Sequence, residues 1–441
     1  MSDQSQDHNR FDGEISNAEV RERWSIAADT DPHQLPLAQL DPGNGDWFEL
    51  NKELQVFDRL RQEAPVHYTA ESQFGPYWSV TRFEDVKYVD THHDLFSSDI
   101  MNGGIRLGGR PLNEPPPDLF HLPMFIMQDQ PVHDAQRKVV APMFTSTKLA
   151  SMGELIRQRA ADILDELPQG ETFNWVREVS VELTGRMLAT LFDVPQEDRH
   201  LLIHWSDTVE RIGDPDYFET PAEGFAEIWK CFAYFNDIWE AKQKMAAPGE
   251  DLISFLAHGE STRDMEPNEF LGNVLLLIVG GNDTTRNSMT GGVQALNQFP
   301  DQFAKLRANP GLVPNMVSEI VRWQSPVAHM CRTATQDVEL GGQLIKQWDK
   351  VCIWYLSGNR DTGHFDHPNQ LDIERPNARQ HLSFGYGIHR CLGNRLAEMQ
   401  LRILWEEILA RFSRVEVVGE ASYLNSSFIR GITDLPVQVH A

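Results

Sequence analysis

Ten residues near the C-terminus, Phe384-Gly385-Tyr386-Gly387-Ile388-His389-Arg390-Cys391-Leu392-Gly393, constrain this chain more than any other stretch. One cysteine stands among glycines, beside a histidine and an arginine. An apolar pattern of helical period follows through Leu396, Met399, Leu401, Ile403, Trp405 and Ile408. Gly385, Gly387 and Gly393 remove side chains where a chain must turn tightly or let a flat object approach its backbone. A thiolate held just before a helix N-terminus is stabilised by the positive end of the helix and by backbone N–H groups. Cys391 is therefore a candidate metal ligand, and a thiolate so placed is one of the proximal ligands of haem iron.

Simpler readings of the same residues fail on spacing. A lone cysteine is commonly a small buried hydrophobe, but that reading leaves the glycines unexplained. A dinucleotide loop needs a third glycine where Arg390 stands. Zinc needs several short-spaced thiolates or histidines, and Cys231, Cys331 and Cys352 make no C-x-x-C pair with Cys391. The pattern Phe384-Gly385-x-Gly387-x-His389-x-Cys391-x-Gly393 resembles the haem-binding signature of the cytochrome P450 monooxygenases. The resemblance implies a mainly α fold with a small β region, built as a single triangular-prism-like domain. It also implies haem b as cofactor, with Cys391 as the iron ligand.

The longest apolar helical run, Phe270 to Leu296, carries the second signal. Gly280-Gly281-Asn282-Asp283-Thr284-Thr285 interrupts it with six weak helix formers, each glycine costing about 1 kcal/mol relative to alanine. A segment that needed only to be a buried helix would not be built this way. Missing side chains leave room for a small ligand, and Asp283 and Thr284 can bond locally and loosen the helix ladder. An acid beside a hydroxyl is a proton relay in prospect; the plainer alternative is a kink with a satisfied polar cluster. The segment resembles the family's distal-helix motif for dioxygen activation, which implies catalytic roles for Asp283 and Thr284.

Other cofactor contacts follow from the resemblance. His133 and Arg137, four apart behind Pro131, share one helix face; in the family His-x-x-x-Arg reaches the haem propionates. Arg332 and His389 match two further propionate donors, and Gly280 and Phe384 belong to the cofactor's surroundings. Glu319 and Arg322 resemble the family's Glu-x-x-Arg pair, which holds the structure behind the cysteine loop.

The net charge of −26 argues against non-specific binding to nucleic acid or anionic membranes. No run is apolar enough for a membrane span, and Met1-Ser2-Asp3-Gln4 opens without a leader pattern, so a cytoplasmic location is expected. Residues 1–45, polar and punctuated by Asp31-Pro32 and Asp41-Pro42-Gly43, read as an N-terminal arm, and 46–441 as one catalytic domain. Phe96 to Pro123 is irregular, with Pro115-Pro116-Pro117, and a loop that long is functional or disordered.

The wider likeness covers roughly residues 47–438. Gly281 to Met289, His381 to Phe384 and Arg395 to Gln400 are similar to soluble bacterial alkane and fatty-acid terminal hydroxylases. Cys331 departs from that subfamily, which carries an arginine there, and this puts the polarity of the pocket in question. The resemblance implies dioxygen, two electrons from a ferredoxin with its NAD(P)H-dependent reductase, and a hydrophobic small-molecule substrate. No flavin or nicotinamide fingerprint is present, so electrons come from outside. Expected apolar pocket walls are Leu276, Val279, Val327, Ala328, Met330, Phe428 and Ile429. The competing readings are a hydroxylase of terpenes or cyclic compounds, and a non-enzymatic haem-thiolate gas sensor.

Overall fold

The structure is a computed structural model, described over residues 16–109, 111 and 122–441. The first part of the arm and Pro115-Pro116-Pro117 lie outside the described residues.

Helices dominate, and the longest, Pro267–Gln298, runs for 32 residues through the main core. Its first half buries Phe270, Leu271, Val274, Leu275 and Ile278, and its second half Met289, Val293 and Leu296. The expected loosening at Gly280–Thr285 does not occur, since the helix is unbroken. Side chains there bond back to carbonyls one turn earlier without displacing backbone donors. Thr284 Oγ1 donates to the Gly280 carbonyl at 3.0 Å, Asn287 Nδ2 to that of Asp283 at 2.8 Å, and Ser288 Oγ to that of Thr284 at 2.8 Å. Packing on either side of the segment overrides its poor propensity.

The helix that follows the cysteine loop, Asn394–Arg411, buries Leu401, Leu404, Trp405 and Ile408 in the same core and lies against the helix Ser146–Asp165. Helix Val132–Val140 begins directly after Pro131, where the sequence places a helix start.

A five-stranded sheet stands apart from this helical core. Its order is Val66–Thr69, Tyr77–Val80, Lys350–Ile353, Met330–Ala334, Phe96–Ser97, with only the second and third strands parallel. The hairpin read around Gly341-Gly342 pairs Val338–Leu340 with Gln343–Ile345. Both glycines have positive φ, 57° and 78°, as a two-residue primed turn requires. Of the arm, helix Asn17–Trp24 carries a Ser16/Glu19 capping box, and the Asn17 side-chain amide donates to the carbonyls of Ile212 and Phe218.

Candidate functional site

The cysteine loop is fixed by its main chain. Gly387 has φ 66°, and a Cβ there would come within 2.4 Å of the Asp90 carbonyl oxygen, so only glycine fits. Cys391 N–H donates to the Phe384 carbonyl at 2.8 Å, closing the loop, while Tyr386 N–H donates to the Asp90 carboxylate at 2.6 Å. Burial pushes the Cys391 thiol up; the N–H groups of Gly393 and Asn394 and the charges of Arg137 and Arg390 oppose that. Yet the residue is exposed. A side chain both enclosed by protein and reachable by solvent opens onto an internal space.

The long helix opens onto space too. Gly280 is exposed in the middle of a buried helix, and a Cβ added there would meet nothing within 4 Å. Leu276, Val279 and Thr284 are partly exposed on the same stretch, Leu276 and Thr284 one turn before and after Gly280.

The residues expected to meet propionates do come together. The His133 and His389 rings lie 4.3 Å apart, and Arg137 donates to the Arg390 carbonyl within the cysteine loop. Both ring nitrogens of His389 and Nε2 of His133 are buried without a partner. Burial, followed by the charges of Arg332, His133 and Arg137, pushes His389 down to about 2. Unsatisfied buried nitrogens amid cationic groups are a costly arrangement unless an anion completes it. These residues therefore fit haem b, whose two carboxylates carry the required charge and acceptors.

Arg332, whose charge also acts on His389, is paired within the protein. Its guanidinium is buried against Asp90 at 2.7 Å and its other nitrogen donates to the Cys331 carbonyl, so a carboxylate of the protein already neutralises it. Asp90 also accepts from Tyr355 Oη at 3.1 Å. Asp90 thus joins the sheet, the helix Phe83–Thr91 and the cysteine loop, and the sequence gives no hint of it.

Asp283 and Thr284, adjacent in sequence, point apart, as successive helical residues must. Thr284 is partly exposed, whereas Asp283, about 100° round the helix, is fully buried. There it accepts from Ser206 Oγ at 2.8 Å and pairs with Arg286, which also reaches Asp207 at 2.8 Å. Burial raises Asp283 to about 7, with Arg286 opposing and Asp207 and Glu210 adding to the rise. The acid does not sit beside the hydroxyl; it links the helix to Arg199–Arg211 and, through Asp207, towards the surface.

Two expected pocket walls are corrected. Ala328 and Ile429 are sealed at 0% and 1% exposure, Ala328 within the Trp47, Phe57 and Trp354 cluster. Val327, Met330 and Phe428 are the partly exposed residues of these two segments, held together by the Val327–Ile429 bridge. Cys331 likewise faces away from Met330, into the same sealed cluster, so it does not bear on pocket polarity.

Behind the loop, Glu319 and Arg322 form a fully buried bidentate pair, 2.7 Å at both contacts, and Arg375 adds a second guanidinium at 3.1 Å. Arg375 sits in Glu374-Arg375-Pro376, a stretch that resembles the family's approach to the cysteine loop.

The comparisons agree with this geometry. The Cytochrome P450 family model matches residues 215–426. The chain is 35% identical to Linalool 8-monooxygenase of Pseudomonas putida over 90% of its length and 98% of that protein. It is 32% identical to the Methyl-branched lipid omega-hydroxylase of Mycobacterium tuberculosis, covering 92% and 96%. The solved structure of Cytochrome P450-153 from Novosphingobium aromaticivorans superposes with a TM-score of 0.85 at 44% identity, covering 91% of this chain and 99% of that one. The chain belongs to the cytochrome P450 family. It is a monooxygenase of the bacterial type, with haem b as its cofactor and omega-hydroxylases among its relatives. No helix of the described residues is long and apolar enough to cross a membrane.

Proposed function

We propose that the protein hydroxylates the terminal methyl of a medium-chain hydrocarbon or fatty acid, with electrons from a ferredoxin. The observation that carries the reading is that Leu276 and Val279, on the helix of Thr284, and Val327, Met330 and Phe428 are apolar yet only partly buried. In this reading Cys391 would hold the haem iron, and His133, Arg137 and His389 would receive the haem carboxylates. Gly280 would leave room for the cofactor, which supplies reductive activation of dioxygen when bound. Arg106, over the Phe428 ring at 4.3 Å, is neutralised by Glu210 at 2.8 Å, so a neutral chain is favoured over a carboxylate. A terminal C–H is the strongest of an alkane. Selecting it needs end-on positioning, each tenfold preference amounting to about 1.4 kcal/mol.

Turnover with a surrogate ferredoxin and reductase tests this. Octane should give 1-octanol in preference to internal alcohols, with dodecanoic acid a poorer substrate. Linalool belongs in the same assay, since the relative named for it favours a branched terpene as the second reading. Product from linalool alone would discard the linear chain.

Thr284 holds a proton at the open face while Asp283 exchanges protons with the Asp207 side. Thr284→Ala should keep oxygen consumption but divert most of it to hydrogen peroxide, measured as the ratio of peroxide to product. An acid supplies protons only while protonated. With Asp283 near 7, the coupled rate should therefore fall as pH rises through about 7. Asp283→Asn should be slow throughout and show no such inflection; an unaltered profile refutes the relay.

Lys138, Arg390 and Arg395 are exposed around the cysteine loop, a local cationic patch on a chain of net charge −26. An acidic ferredoxin would meet them there. Arg390→Glu should slow ferredoxin-driven turnover about tenfold, and more at low salt, while the substrate-induced spectral change keeps its midpoint. Equal rates for both proteins rule out this docking face.

A further inference from the structure

In the five-stranded sheet, three metal-ligating side chains converge. His329 lies just before the strand Met330–Ala334, two residues ahead of Cys331, and Cys352 is the direct cross-strand partner of Cys331. Cys331 N–H donates to the Ile105 carbonyl rather than across to Cys352. The two cysteines therefore form a non-hydrogen-bonded pair, the arrangement that brings side chains closest. One ligand atom from each of the three residues lies within 4.8 Å of the others, and all three residues are buried.

The histidine is already oriented. His329 Nδ1 lies 2.8 Å from the Ser427 carbonyl, which can only accept, so Nδ1 carries the hydrogen and Nε2 keeps its lone pair. A carbonyl behind one ring nitrogen is the usual support of a metal-ligating imidazole. The ring is held further by Trp354 at 4.6 Å and Phe428 at 5.5 Å.

Charge narrows the occupant. Lys350, on the same strand face as Cys352, is buried, and its ammonium donates only to the carbonyls of Gly103 and Gly104, at 2.5 and 2.7 Å. Among the described residues no carboxylate pairs with it, and a buried ammonium needs one negative charge nearby. Two thiolates, a neutral imidazole and a monovalent ion sum to −1 and cancel Lys350. A divalent ion would leave the lysine unbalanced. Structural zinc is four-coordinate, and no fourth His, Cys, Asp or Glu joins the group among the described residues. Soft sulfur ligands select copper(I).

We propose that His329, Cys331 and Cys352 bind one copper(I) ion in a three-coordinate site between the strands Met330–Ala334 and Lys350–Ile353. Copper(I) enters with loss of the two thiol protons and with no change in oxidation state.

The test is metal content of the full-length haem protein grown with added copper and then desalted against a copper(I) chelator. One copper per haem iron is expected in the native protein. Near-background copper is expected in Cys352→Ser and His329→Gln, whose reduced carbon monoxide complexes should keep the thiolate band that reports Cys391. If either variant fails to fold, X-ray absorption on the native protein decides, with two sulfur neighbours and one nitrogen expected at the copper edge. Copper-free native protein, copper kept by both variants, or zinc in its place would overturn the proposal. So would a native mass lighter by two hydrogens and restored by a thiol reductant, which would identify a Cys331–Cys352 disulfide instead.

Discussion

Cys391→Ser will produce a folded protein whose reduced carbon monoxide complex lacks the red-shifted thiolate band and whose hydroxylation rate falls by at least about a thousandfold, ~4 kcal/mol of transition-state stabilisation. Folding should survive because the loop is held by main-chain contacts that the substitution leaves in place: Cys391 N–H on the Phe384 carbonyl, Tyr386 N–H on Asp90, and the glycine conformations at 385 and 387. What is lost is the donor atom. A hydroxyl in that position is far less acidic than a thiol, and the N–H groups of Gly393 and Asn394 that favour a thiolate have no comparable anion to hold. Cys231→Ser provides the control. Burial alone holds that thiol well above its ordinary value, so removing it should leave the band unchanged. A Cys391→Ser protein that keeps the band would require another axial ligand.

How far the site is legible in the sequence depends on whether a constraint is local. Gly385 and Gly387 are conspicuous because the backbone itself demands them, by positive φ and by the approach of the Asp90 carbonyl. His133 and Arg137 are legible as a pair because helical spacing puts them on one face. The direction of Asp283 is not legible from adjacency: being next to Thr284 in sequence turns it about 100° away round the helix, where Ser206 and Asp207 arrive from elsewhere. Asp90 could not be found at all, since its partners Arg332 and Tyr386 are remote in the chain. The expected weakening at Gly280–Thr285 reflects propensity, which tertiary packing overrode. Ala328 and Ile429 look like pocket walls because they are apolar, but both are buried, whereas their neighbours Val327 and Phe428 are partly exposed, a difference set by tertiary packing.

Glu319→Ala will destabilise the protein by about 3–5 kcal/mol, a large share of the ~5–15 kcal/mol that holds a typical domain together. Glu319 and Arg322 are each 0% exposed, and Arg375 approaches the same carboxylate. Removing the acid leaves two buried guanidiniums without a counter-ion, which costs far more than the pair contributes as a whole. The damage should also reach the cysteine loop by a traceable route. Arg322 donates to the Asn359 carbonyl at 2.7 Å, and the Asn359 side chain accepts from Leu382 N–H at 2.7 Å and donates to Ser383 Oγ at 2.8 Å. Leu382 and Ser383 lead directly into Phe384 and the loop. Glu319→Ala should therefore lose haem, and the protein that retains it should show a diminished thiolate band in the carbon monoxide complex. Glu319→Gln keeps an acceptor without the charge and should fall between. Urea unfolding followed by tryptophan fluorescence, alongside haem absorbance, separates the two effects. If the alanine variant unfolds within about 1 kcal/mol of the native protein, the pair is not the anchor of the loop.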